Sequence, residues 1–205
     1  MENSPIKPEK FFKTACYFEG SLILVAIVLG WVAGIDPFEN IYLSEKAVLY
    51  GLFGTLPLLL IFFALEYMSI PSVLKIRQVL FETLGPSMHK YKWADFFVLA
   101  VIAGFSEEVL FRGLIQPWME NSWGMTAGLV TSNLLFGLVH AMTPLYFILA
   151  TAVGIYLGMF LDYGGERNLL TPIVIHSLYD FFAFMVIIKA YRTSQIDNQQ
   201  DTSEK

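Results

Sequence analysis

The sequence predicts an all-α membrane protein: a polytopic bundle of about six transmembrane helices with one interfacial amphipathic helix. Three observations carry that reading. Hydrophobic residues make up 56% of the 205 and the mean hydropathy is +0.57. Charged residues are only 15%, where soluble domains carry about 25%. The apolar residues fall in successive runs, most of them long enough to cross a hydrocarbon core of about 30 Å. Cys16 is the single cysteine, which excludes both a disulfide framework and a cysteine-rich zinc site. The sequence has no internal repeat, Gly-rich phosphate loop or nucleic-acid-binding basic patch. The lipid bilayer is therefore the first expected partner, and nucleic acid is not one.

The chain divides into residues 1–92, 93–190 and 191–205. Residues 1–13 are polar and carry Lys7, Lys10 and Lys13. The first apolar run, Ala15 to Ile35, ends in Val32-Ala33-Gly34, a weak signal-peptide-like cleavage site. Its apolar core begins late and no soluble domain follows, so it reads as a helix. Asp36-Pro37 breaks it, and a second span runs from Ala47 to Met68. Residues 69–92 differ. Between Pro71 and Gly85-Pro86, Val73, Ile76, Leu80 and Leu84 recur at helical spacing, with Lys75, Arg77, Gln78 and Glu82 opposite. That pattern suits a helix lying in the membrane surface, or one packed on the bundle.

The third span runs from Trp93 to Pro117 and the fourth from Trp123 to Ala141. The fifth runs from Pro144 to Asp162, and the sixth from Leu170 to Ala190. A polar tail follows, expected to be disordered. Trp31, Trp93, Trp118 and Trp123 fall near span ends, where interfacial aromatics belong. Lys75, Arg77, Lys90, Lys92, Lys189, Arg192 and Lys205 share one side with the N-terminal lysines, whereas the opposite loops hold only Lys46 and Arg167. Both termini are therefore expected in the cytoplasm. A bacterial plasma membrane is the expected location.

The third span holds Ser-Glu-Glu-Val-Leu-Phe-Arg-Gly, Ser106 to Gly113. A charge near the bilayer centre costs on the order of 2.5–3.5 kcal/mol, so these groups must be partnered or face a polar cavity. On a helix Glu108 and Arg112 are i,i+4 and can pair. Glu107 is turned about 100° away and has no local partner, which suits a general acid or base. His140 ends the fourth span, sharing a face with Asn133 and Phe136. His176 and Asp180 are i,i+4 in the sixth. The competing reading is a charge cluster that only locks helices together.

Two chemistries suit one carboxylate and two imidazoles. One is a divalent metal site, zinc above all, with His140, His176 and Glu107 as ligands. The other is metal-free, with a glutamate and a histidine jointly taking a proton from water. Ser106 as nucleophile is a weaker third option. Spacing alone does not choose between them.

Glu-Glu-x-x-x-Arg, Phe-x-x-x-His and His-x-x-x-Asp, in this order on successive membrane helices, resemble the three motifs of the CAAX-protease and bacteriocin-processing family. The likeness spans about Asp95 to Phe184. It implies an intramembrane endopeptidase in which Glu107 activates water with His140 as its partner. It also implies that Glu108 and Arg112 support the site, with Asn133 and Phe136 beside them, and that His176 and Asp180 stabilise the oxyanion. No metal is favoured, although members have been labelled metalloproteases. Asp180 stands where prenyl-protein proteases typically have asparagine, a form more similar to the bacterial branch.

The expected function is thus hydrolysis of a peptide bond in a membrane-associated protein or peptide, prenylated or not. The rivals are a non-catalytic scaffold or bacteriocin-immunity protein and, third, a transporter. One expectation conflicts with the rest. The span limits put Glu107 at mid-membrane but His140 and His176 towards opposite sides.

Overall fold

The computed structural model describes residues 8–203, and it is helical throughout with no strand among them. Residues 1–7, which include Lys7 of the polar N-terminal tail, lie outside the described residues, as do residues 204–205. The helices are α1 (Pro8–Ala33), α2 (Glu45–Tyr67), α3 (Pro71–Met88), α4 (Trp93–Leu110), α5 (Gln116–Trp123), α6 (Met125–Val139), α7 (Pro144–Phe160) and α8 (Leu170–Ser203). A π-helical turn, Phe111–Ile115, joins α4 to α5 without a break.

By length and composition, α1, α2 and the Leu170–Asp197 part of α8 can cross a membrane, and α6 and α7 are shorter apolar helices. The third expected span lies within the continuous helix Trp93 to Trp123, which carries the charged cluster. The chain is a helical integral membrane protein.

The antiparallel pair α4 and α8 forms the centre, with α1 packed along α4 and α2 along α8. The α6–α7 hairpin packs on α5 and the π turn. Around the π turn, Val109, Leu110, Phe111, Leu114, Phe136, Leu161, Leu169, Ile173 and Ala26 make one apolar cluster. A second, nearer the start of α4, contains Met88, Tyr91, Phe96, Leu99 and Ile188. Between the two clusters, at the level of Glu107, the interior turns polar.

Two boundaries depart from the sequence reading. Gly85-Pro86 was expected to end the amphipathic segment, yet α3 runs through it to Met88. Gly85 is buried against the Tyr191 ring, and proline near a helix end removes only one hydrogen bond. Val73, Ile76 and Met88 are buried, and α3 packs on α8 and α1. The tail after Ala190 is not disordered from its start, because α8 continues to Ser203. Arg192 anchors that extension by donating to the carbonyls of His89, at 2.7 Å, and Tyr91, at 2.5 Å.

Candidate active site

The hydrogen-bonded core of the site is Arg112. It is 1% exposed and donates to Glu108 Oε1 at 2.8 Å, and to Asn133 Oδ1 and the Gly154 carbonyl at 2.9 Å each. Its guanidinium also lies over the Phe136 ring, 4.5 Å from the centroid. A buried guanidinium needs this density of acceptors, since an unpaired one would cost several kcal/mol. One residue thereby joins α4, α6 and α7. Gly154 permits the approach: a Cβ there would meet Asn133 Oδ1 at 2.7 Å and the Phe136 ring at 3.1 Å.

The π turn places Arg112 in this frame. The Gln116 amide donates to the Phe111 carbonyl five residues back, which widens the turn, and Leu110 through Gln116 are all buried. Such turns inside α-helices are frequent at functional sites. Nothing in the Phe111–Ile115 sequence marks it.

Glu108 reaches a second partner. His176 Nδ1 lies 2.8 Å from Glu108 Oε1. A carboxylate only accepts, so this Nδ1 carries the hydrogen and the ring turns Nε2 the other way. Nε2 lies 3.6 Å from Asp180 Oδ2 and 4.0 Å from Glu107 Oε2. His140 is oriented by the same device. Its Nδ1 donates to the Phe136 carbonyl at 2.8 Å, leaving Nε2 at 3.4 Å from Glu107 Oε2. Its ring also stacks on Phe136 with centroids 4.4 Å apart.

Glu107, His140, His176 and Asp180 therefore converge, with the two imidazoles tied to the frame from behind. The side chains of Glu107, His140 and Asp180 are 12%, 29% and 21% exposed, whereas Glu108 and Arg112 are closed off at 0%. The first group is reachable and the second is scaffold. Ser106 is buried and its hydroxyl donates to the Ile102 carbonyl, away from a nucleophile's role.

The expected mismatch in depth is corrected: His140 and His176 both come to Glu107, at 3.4 and 4.0 Å from its Oε2. The 15 residues of α6 rise only about 22 Å, short of the hydrocarbon thickness. His140 caps α6 level with Glu107, and α7 turns back from there. His176 is level too, because about 24 Å of α8 separates it from Arg192 and about 21 Å of α4 separates Glu107 from Trp93. The central helices also approach closely. A Cβ on Gly104 would meet Ser177 Oγ at 2.5 Å and its backbone nitrogen at 2.8 Å.

As for a metal, no group of three His, Cys, Asp or Glu side chains among the described residues is placed to hold an ion.

Residues 89–182 match the family described as Type II CAAX prenyl endopeptidase Rce1-like. This segment resembles the Rce1-like family. The match contains Glu107, His140, His176 and Asp180, and at the coarse level it supports a peptidase. The chain is also similar to the uncharacterized protein YpbD of Bacillus subtilis (strain 168), at 31% identity over 111 residues. That alignment covers 52% of this chain and 53% of YpbD, so the chain spans about half the length of this relative. No solved structure matches.

The sequence reading passed over one polar residue of the bundle interior, and it lies outside the matched segment. Glu19, on α1, sits between the residues that pack on the two apolar clusters, and its Oε2 is buried without a hydrogen-bond partner. A glutamate inside the first apolar span was the available signal.

Proposed function

We propose that the protein is an intramembrane endopeptidase that uses Glu107 and His140 to activate water, without a metal. The observation that carries this reading is the 3.4 Å approach of His140 Nε2 to Glu107 Oε2, with the other ring nitrogen already committed to Phe136. A water bound beside both groups gives its proton to the Glu107–His140 pair as its oxygen attacks the peptide carbonyl carbon. The proton then passes to the amine nitrogen as the C–N bond breaks. In this reading His176 Nε2 and Asp180, 3.6 Å apart, supply the hydrogen bonds to the oxyanion.

The substrate class is a membrane-associated protein or peptide, with or without a prenyl group. Both termini are assigned to the cytoplasmic face of a bacterial plasma membrane. The rival is a scaffold or immunity protein that keeps the same cluster for packing. Comparing the termini of membrane proteins in cells with the wild-type chain and with Glu107→Ala tests this. Termini that vanish with the variant support the peptidase. Identical termini, with equal amounts of folded protein, sink it.

A further inference from the structure

The face of α1 that packs on α4 is apolar except at one position. Ala15 and Cys16 pack on the Met88–Ile188 cluster, and Leu22 and Ala26 on the cluster around the π turn. Glu19 falls between these pairs at helical spacing, while Tyr17 and Phe18 beside it are 78% and 64% exposed. Its carboxylate oxygen Oε2 is shut off from solvent and has no hydrogen-bond partner, and Glu19 makes no ion pair among the described residues. Burying that oxygen without a partner costs free energy and returns nothing to the fold. Because α1 packs along α4, Glu19 sits between the two apolar clusters, at the polar level of the bundle where Glu107 lies.

We propose that Glu19 is a positioning residue of this site, its carboxylate stabilising the proton that the Glu107–His140 pair takes from water until the leaving amine accepts it. The inference rests on the hydrolytic reading above. The positive charge it stabilises exists only after proton transfer, so its effect falls on kcat and not on KM. It also explains why α1, outside the Rce1-like segment, brings a carboxyl to the interior.

The test uses the full chain in detergent, as wild type, Glu19→Gln and Glu19→Leu. Three readouts are taken: thermal stability, cleavage of a membrane peptide found by the termini comparison, and NMR of ring-labelled histidines. The three histidines are His89, His140 and His176, and His89 is the internal control, held at the Pro86 carbonyl on α3. The expected result is unchanged or raised stability in Glu19→Leu. In both variants kcat falls at least about tenfold with KM unchanged, the size expected for one charge facing another across a partly screened site. The His140 and His176 signals move and His89 does not. Unchanged kcat with unmoved His140 and His176 signals overturns the proposal. So does a loss of stability in both variants with all three histidines moving, which marks a structural residue. If the wild-type chain cleaves nothing, the hydrolytic reading fails and Glu19's catalytic role falls with it. The histidine signals then report separately whether Glu19 faces the site.

Discussion

Arg112 and His176 bind the same oxygen of Glu108, each at 2.8 Å. The guanidinium that locks α4 to α6 and α7 is thus one carboxylate away from the imidazole that faces the reacting atoms. Fold and chemistry are separated across the thickness of one side chain. Glu108 belongs to both.

Arg112→Met is expected to lower stability by about 3–5 kcal/mol, because it leaves Glu108 buried without its cation. Glu107→Gln is expected to leave stability nearly intact and to abolish cleavage, since the amide has the same shape but cannot accept a proton. Thermal unfolding of both in detergent is the measurement. Equal destabilisation by both would make the cluster purely structural.

Gly104→Val is expected to disturb the site without touching a polar group. A Cβ there would lie 2.5 Å from Ser177 Oγ and 2.8 Å from its backbone nitrogen, so α8 must move outward. His176 rides on α8 next to Ser177, and a displacement of about 1 Å at a catalytic geometry is worth about 100-fold in rate. Cleavage by this variant should fall by roughly that factor. Wild-type activity would show that α4 and α8 need not cross so tightly.

Much of the site was legible in the sequence because its pairings are local. Glu108 with Arg112, His176 with Asp180 and Phe136 with His140 are all i,i+4, and spacing on a helix reports such pairs directly. Depth was not legible. Hydropathy extends the fourth span to Ala141, and an apolar run does not report how its end is offset against the neighbouring helices. The π turn at Phe111–Ile115 was hidden for a different reason: it follows from how Arg112 and Gly113 pack, with Gly113 pressed against the Pro37 carbonyl. Glu19 was passed over because which face of α1 packs on α4 is not marked by any pairing within α1.

Strong chelation is expected to leave cleavage intact, and the purified chain to contain no stoichiometric zinc. Metal analysis after extensive dialysis, alongside activity with and without chelator, provides the check. About one zinc per chain, with activity lost on chelation and restored by zinc, would turn His140, His176 and Glu107 into ligands. The Nδ1 bonds to Phe136 and Glu108 would then be the outer partners that orient them.

Asp180 faces His176 Nε2 at 3.6 Å, on the side of the ring that Glu108 does not hold. A carboxylate can only accept hydrogen bonds, so Asp180 can donate to an oxyanion only while it carries a proton. Raising the pH removes that proton, and activity that depends on it must fall on the alkaline side. Asparagine donates at every pH. Asp180→Asn is therefore expected to keep activity within about tenfold of wild type and to lose the part of the alkaline fall due to this residue. The other role for Asp180 is as an ionised partner that holds a proton on His176 Nε2, making the imidazolium the donor. Asp180→Asn removes that counter-charge, His176 gives up its proton more easily, and the upper limit of activity moves to lower pH. A pH–rate profile of kcat for wild type, Asp180→Asn and Asp180→Ala separates the two. We expect the first result, because Glu108 already supplies the carboxylate that orients His176. An Asp180→Asn chain as inactive as Asp180→Ala at every pH would exclude both roles.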